Sequence, residues 1–556
     1  MAINSTVKEK QRVLILYPTV TFFGGLLCIA EALQRSGKFD VIIYSHVRYP
    51  GWDDLVSRAD AVGVKMLTFM ATDKTIASDL DTMIDTLGFA PCLTRREAAD
   101  IAAPPLAKHL RVGLVFKLWK FFLSKTELKS LKKQYTRTER VHRANIARAN
   151  AVVDRLDIDL LVLATESVSH HSAFFLASMN EVQRRSVYMP LALPSHNELD
   201  GWMRNNPRGY GRVTTRADRI FAKVYPRWKR IIDGTPFIRV PAPQALALET
   251  GELAPRDPWT SSSMTSTVIA ASGTFLAERL QELGARYRKD AIYVTGAAED
   301  GDISEYHSTP KEIRAKLIAD LELDPTKPIL MLSAPSNVSN QYPLNGYDSF
   351  EELIAYWCNS LGQLRNVSAI VSPHPWYREK PEARDVLEGT GAKSDWRSAF
   401  ELMPAVGLFC TYGASSTPRL AGAAGLPVLN YFAFKRTFSS EDDRSYFVGF
   451  NTMPVANSRA EWEQLLRKVD DAEWRDNLCA RAKAEATYFG LARGIFGRRF
   501  PQVAEVLSNG RGSLADAEKR ELSALCPADG YTAEELNWLQ GLQGIRTNVA
   551  IGDPAM

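Results

Sequence analysis

The chain is poor in several features that would place it at once. It has six cysteines in 556 residues, at positions 28, 92, 358, 410, 479 and 526, and no Cys-x-x-Cys or Cys/His zinc spacing. That excludes a zinc module and a disulfide-stapled secreted scaffold. Cys28, Cys358 and Cys410 lie in apolar patterns and read as small buried hydrophobes, and a reducing cytoplasm is the expected compartment. No stretch of about 18 apolar residues occurs, so no membrane-spanning helix is expected. The opening Met1-Ala2-Ile3-Asn4-Ser5-Thr6 lacks the order of a signal peptide. No G-x-G-x-x-G is present, which removes the usual dinucleotide fingerprint. No acidic cluster stands out as a metal site, and neither a metal nor a cofactor is expected. The formal net charge is only +4, so nucleic acid is not an expected partner. No solenoid repeat is found.

What is present is alternation. Apolar runs of strand length at 12–17, 41–44, 62–69, 160–164, 186–191, 267–271 and 291–295 are separated by helical stretches. One of these, 26–36, follows Gly24-Gly25, and a long one covers 138–156. A polar stretch from Gly296 to Pro328 reads as a boundary. A second alternating unit then begins with Ile329-Leu330-Met331-Leu332-Ser333, a helix over 349–364, strands before His374 and Ser415, and Pro427-Val428-Leu429-Asn430-Tyr431-Phe432. Ser458 reads as the cap of a helix from Arg459. Alternation of this kind predicts α/β architecture: two doubly wound, Rossmann-like domains facing across a cleft. The expected boundaries are 1–310 for an N-terminal acceptor domain with a basic amphipathic insertion at 104–136, 311–508 for a C-terminal donor domain with closing helices, and 509–556 for a peripheral tail.

Two dipeptides, His374-Pro375 and Ser415-Ser416, stand 41 residues apart at the ends of apolar runs. Ligands of open α/β sheets bind outside the carboxyl ends of strands. Thr417 suits an N-cap and Pro418 a first helical position, with the helix stopping at Gly425. A helix start offers free N–H groups to an anion, the serines add hydroxyl donors, and His374 would donate to a phosphate. The same residues also make an ordinary strand-to-helix turn and an ordinary strand end.

Lys108 to Lys133 carries eight Lys or Arg against Glu127 alone, around a dense apolar block from Val112 to Leu123. The block is too short to span a bilayer. It predicts either an interfacial amphipathic helix attracted to anionic lipid or a helix covering the N-terminal domain. A second basic region runs from Arg204 to Arg230.

The run Gly413-Ala414-Ser415-Ser416-Thr417-Pro418-Arg419-Leu420-Ala421-Gly422-Ala423-Ala424-Gly425-Leu426-Pro427-Val428-Leu429 resembles the donor-binding strand–turn–helix of GT-B glycosyltransferases. The segment Val268 to Asp302 is similar to the last N-domain unit of the UDP-N-acetylglucosamine 2-epimerase-like branch. His374-Pro375 and Ser415-Ser416 resemble the HP and SS motifs of bacterial sialyltransferases and of Kdo transferases of capsule and lipopolysaccharide assembly. That resemblance implies a CMP-linked ulosonic acid donor such as Kdo or a sialic-acid-like sugar. It implies His374 and Pro375 at the donor phosphate, and Ser415, Ser416 and Thr417 at the phosphate or nearby donor groups. Ser333, Pro335, Ser336 and Asn337 would contact the donor from the other side. The first loop, Pro18 to Gly25, departs from the Gly-Thr-Arg-Pro-Glu opening of the epimerases, and the Asp-Tyr-Ser-Ser signature of polyglycerol-phosphate polymerases has only a distant echo in Thr411 to Ser416.

For acceptor activation the sequence offers Glu166, just past a strand end, as general base, with His170 or His171 orienting it. Glu166 would equally cap the next helix. Gly24 and Gly25 would let the first loop approach a ligand closely. The function expected is transfer of a sugar from a nucleotide donor to a bacterial surface glycan or glycolipid, by a metal-independent enzyme in the cytoplasm or peripheral on the inner face of the plasma membrane. The alternatives are a UDP-sugar transferase or epimerase, a phosphoglycerol transferase, and a non-catalytic GT-B-like binding protein.

Overall fold

A computed structural model describes residues 10–17, 23–45, 51–70, 84–85, 113, 115–166, 172–191, 200, 203–204, 211–260, 265–282, 289–298, 310–337, 344–397, 399–412, 417–431, 434, 450–491, 494–527 and 530–540.

The first unit is built on β1 (Gln11–Tyr17), α1 (Phe23–Arg35), β2 (Phe39–Ser45), α2 (Trp52–Ala61), β3 (Lys65–Met70) and β4 (Ile84–Asp85). It continues through α3 (Lys125–Arg155), β5 (Leu160–Leu163), α4 (Ser172–Glu181) and β6 (Arg185–Tyr188). Next come α5 (Arg216–Val224), a hairpin of β7 (Lys229–Ile232) and β8 (Thr235–Ile238), α6 (Ala242–Thr250), β9 (Val268–Ala271), α7 (Thr274–Glu282) and β10 (Ile292–Val294). The sheet order is β10-β9-β6-β5-β1-β2-β3-β4, parallel except for β3–β4. Its strands are buried on both faces and read as apolar runs because helices cover each side.

The second unit holds α8 (Pro310–Asp320), β11 (Ile329–Ala334), α9 (Phe350–Gly362), β12 (Ser368–Pro373), α10 (Pro381–Gly389), α11 (Ala399–Leu402) and β13 (Leu408–Tyr412). It closes with α12 (Thr417–Ala423), β14 (Val428–Tyr431), β15 (Val455–Ala456), α13 (Arg459–Asp470) and α14 (Ala472–Phe489). Its parallel sheet has the order β12-β11-β13-β14-β15. Both orders reverse direction beside a central first strand, which makes each unit doubly wound. The chain has the GT-B architecture.

Two expected boundaries are corrected. The helix α15 (Ile495–Asn509) leaves the second unit and packs on α1, β5 and β6 of the first. The segment after it is not peripheral. The helix α16 (Asp516–Leu525) lies on α15, and Glu518 pairs at 2.7 Å with Arg185, which is almost fully buried. Arg499 pairs with Glu535, both buried, and donates to the Val294 carbonyl at 2.7 Å. A sequence rich in small and polar residues looks loose, but two buried guanidinium groups need partners and find them in that tail. Residues 541–556 lie outside the described residues.

The chain therefore crosses between units twice, once ahead of β11 and once between α14 and α15. At the second crossing the backbones nearly touch. A Cβ on Gly273, which follows β9, would meet the Phe489 carbonyl carbon and oxygen at 2.8 Å. Beside it, Phe275 packs on Phe489 with centroids 5.5 Å apart, and Tyr488 donates a hydrogen bond to Glu278 at 2.5 Å.

Candidate functional site

In each sheet the switch point is where ligands of this fold class collect. In the second unit it lies outside the carboxyl ends of β11 and β13, because the chain steps from β11 to β12 on one side and to β13 on the other. Ser333 is the fifth residue of β11 and is half-buried; Pro335 beyond the strand is buried, and Ser336 and Asn337 are half-buried. These residues stand at the carboxyl end of β11, on one side of the switch point. On the other side β13 is followed in sequence by α12, and residues 413–416 between them, Ser415 and Ser416 included, lie outside the described residues.

His374 follows β12 directly, but β12 and β13 are not neighbours: β11 lies between them. At about 4.8 Å per strand, the carboxyl ends of β12 and β13 stand roughly 10 Å apart across the sheet. His374 caps the short 3-10 turn Pro375–Glu379, its Nδ1 accepting the Trp376 N–H at 3.1 Å. That bond assigns the proton of the neutral ring to Nε2, which leaves Nε2–H as a donor. The ring is exposed on one side, yet desolvation by the protein around it lowers its pKa. The lowered pKa favours the neutral ring, with Nε2–H as its donor.

Thr417 is the first residue of α12 rather than its cap. Gly425 stops the helix as expected. It takes a φ of +71°, and the N–H groups of Gly425 and Leu426 bond the carbonyls of Gly422 and Ala421, both at 2.9 Å.

The structure adds residues that the sequence reading passed over. Ser333 pairs in register with Ser372 of β12, and Thr411 of β13 with Asn430 of β14. Leu332 pairs with Cys410, so Ser333 and Thr411 are level as well. By alternation all four side chains share the face on which Met331, Ile370, Phe409 and Val428 lie. A polar row thus crosses four strands at the carboxyl edge of an otherwise apolar sheet. Ser372, Thr411 and Asn430 are buried, and both amide atoms of Asn430 lack a hydrogen-bond partner among the described residues. A polar residue recurring at one register position of successive apolar strands was the available signal.

In the first unit the switch point lies between β1 and β5. Glu166 sits there, as its position after β5 predicts, but it is fully buried and accepts the Ser266 N–H at 3.1 Å. This bond ties it to the segment entering β9. His170 and His171 lie outside the described residues. Gly24 and Gly25 are not in a loop. They occupy the first turn of α1, and a Cβ on Gly25 would meet Leu191 Cδ1 at 2.9 Å. The close approach that Gly25 permits is to a neighbouring side chain.

No protein-family model matches the chain, and no curated protein matches it. Solved structures align over most of its length. S. aureus MnaA, solved with UDP, has 10% identity over 91% of this chain and 100% of that chain, with a TM-score of 0.47. The UDP-GlcNAc 2-epimerase of Neisseria meningitidis bound to UDP-GlcNAc has 9% identity over 90% and 100%, with a TM-score of 0.46. Medicago truncatula UGT71G1 complexed with UDP-glucose has 11% identity over 91% and 100%, with a TM-score of 0.46. The fold assignment rests on the chain's own strand orders and on the return of α15 to the first unit.

Proposed function

We propose that this chain transfers a glycosyl group from a nucleotide-activated sugar, bound at the carboxyl edge of the second sheet, to an acceptor held by the first. The observation that carries the proposal is the polar row ending in Asn430. A buried amide with neither partner costs about 1–3 kcal/mol per unmet group, and a ligand is the simplest source of the missing bonds. In this reading Asn430 and the 333–337 segment hold the nucleotide side. His374 Nε2–H donates to the leaving phosphate and offsets charge that grows as the glycosidic bond breaks. Ser415, Ser416 and Thr417 supply further donors at the phosphate. The arrangement asks for no cation. Glu166, in its buried position, orders the approach to β9; it would serve as base only after giving up Ser266.

For the donor, the resemblance of His374-Pro375 and Ser415-Ser416 to the HP and SS motifs of sialyltransferases and Kdo transferases supports a CMP-linked ulosonic acid, with a surface glycan or glycolipid as acceptor. Calorimetric titration with CMP, CDP, UDP, GDP and ADP tests this in the wild type, Ser416→Ala and His374→Ala. Selective cytidine-nucleotide binding, weakened about tenfold or more in each variant, is the expected result. Preference for uridine nucleotides would keep the transfer reaction and replace the donor. Absence of binding to all five would overturn the proposal in favour of a non-catalytic binding protein.

A further inference from the structure

The basic, aromatic stretch is not the single amphipathic helix that its composition suggests. Residues 115–119 are helical, the chain turns at 120–123, and α3 starts at Lys125 behind a capping box in which Ser124 and Glu127 bond each other's backbone N–H. The turn sorts the apolar residues into two sets. Phe116, Trp119 and Leu123 are buried with Leu131 and Tyr135. Leu118, Phe121 and Phe122 point outward, with 53%, 74% and 54% of their surfaces exposed. Three large apolar side chains on one short turn form a patch that the fold itself does not cover.

Charge says what covers it. Lys117, Lys120, Lys125, Lys129, Lys132 and Lys133 are all exposed around the turn and along the first turns of α3. The Lys120 ammonium lies 5.3 Å from the Phe121 ring centroid. The second basic stretch reaches the same surface. Glu127 has its pKa lowered by the Ser124 backbone N–H first and by the Ser124 hydroxyl next, and Arg216 and Arg219 of α5 also act on it. Both arginines are exposed. The nearby carboxylates, Glu127 and Asp218, are engaged as helix caps. Among the described residues no helix is long and apolar enough to cross a membrane.

The position of the patch follows from α3. His142 packs against Phe174 in the first turn of α4, with ring centroids 5.4 Å apart, and α4 starts at the carboxyl side of β5. The part of α3 before His142 therefore extends past the carboxyl edge of the first sheet, by roughly 25 Å at about 1.5 Å per residue. The turn is carried beyond the carboxyl edge of the first sheet.

We propose that the 115–133 turn and the start of α5 form a docking surface for an anionic lipid bilayer, with Leu118, Phe121 and Phe122 entering the interface and the lysines and arginines meeting the headgroups. The surface would turn the carboxyl edge of the first sheet toward the membrane. It needs no nucleotide, so its success or failure is read separately from that of the transferase proposal.

The full chain is tested by co-sedimentation with vesicles of phosphatidylcholine alone and of phosphatidylcholine mixed with phosphatidylglycerol. Binding is expected to the mixed vesicles, to weaken with added salt, and to be far weaker on the neutral ones. The double variant Phe121→Ser/Phe122→Ser should weaken it by about 100-fold while leaving the melting temperature unchanged, because both rings are exposed. The triple variant Lys117→Glu/Lys120→Glu/Lys125→Glu should abolish the preference for anionic vesicles. Failure to bind either vesicle, or equal binding by the phenylalanine variant, would overturn the proposal. So would a solution dimer that the same phenylalanine changes dissolve, since the patch would then be a contact between two copies of the chain.

Discussion

The two switch points share a topology and differ in how their buried polar groups are satisfied. Between β1 and β5, Glu166 is buried and bonded to the Ser266 N–H, so its carboxylate is committed inside the protein. Near the end of β14, Asn430 is equally buried and neither amide atom has a partner among the described residues. Equal burial with unequal satisfaction separates architecture from binding. A group bonded within the fold repays its desolvation there, whereas an unmet one leaves a cost that a ligand can relieve.

The comparison breaks most visibly at the anchors of the first unit. Glu535→Ala would strand the buried Arg499 charge and is expected to cost about 3–5 kcal/mol in urea unfolding, with nucleotide affinity retained in the folded fraction. A loss below about 1 kcal/mol would mean that the tail does not hold the first unit.

The next effect is acid instability centred on His142, which packs between α3 and α4 with its pKa lowered to about 4 by desolvation. A depressed histidine binds fewer protons folded than unfolded. Its contribution is therefore complete above about pH 6.5 and is lost as pH falls toward 4, by about 3 kcal/mol in all. His142→Leu should flatten that arm of the stability–pH curve; an unchanged arm would assign the acid sensitivity to other groups.

Asn430→Leu sharpens the contrast between the two edges. Stability should hold or rise, because two unmet polar atoms are replaced by apolar ones, while nucleotide affinity falls about 10- to 100-fold. Thermal melting and calorimetry on one preparation read both quantities, and a large loss of stability with unchanged affinity would reverse the assignment.

The smallest expected effect is that of Glu166→Gln. The amide oxygen still accepts the Ser266 N–H, so stability should change by less than about 1 kcal/mol and turnover by less than about tenfold. A fall of about 100-fold or more in turnover would restore Glu166 as a general base.

Much of the fold is legible in the sequence because its signals are local. The runs at 12–17, 160–164 and 329–333 become β1, β5 and β11, Ser458 caps α13 by accepting the Glu461 N–H at 3.2 Å, and Gly425 ends α12. The hairpin of β7 and β8 escaped that reading, although Asp233-Gly234, with both φ angles positive, is a turn of the kind that joins paired strands. The order of β12, β11 and β13 was not legible, since no local pattern says which strand lies between two others. That is why nothing in the sequence separates the strand before His374 from the strand before residue 413, although β11 lies between them. The polar row was hidden for the same reason: Ser372, Ser333, Thr411 and Asn430 become neighbours only through the pairing of four strands. The anchoring of the tail depends on Arg185 and Arg499, whose burial is set by sheet and helix packing rather than by their own neighbours in sequence.

The double crossing of the chain has a mechanical consequence. A domain hung on a single thread can swivel as well as tilt. The second unit hangs on two, one entering ahead of β11 and one leaving after α14, and the far end of the second is clamped to the first unit by α15 and its buried ion pair. Twisting about the long axis would pull the threads in opposite directions, while tilting about the line that joins them strains neither. At one end of that line Gly273 and Phe489 meet backbone to backbone, with no side chain between them. A methyl group at position 273 would press on the Phe489 carbonyl and wedge the two units apart at that point.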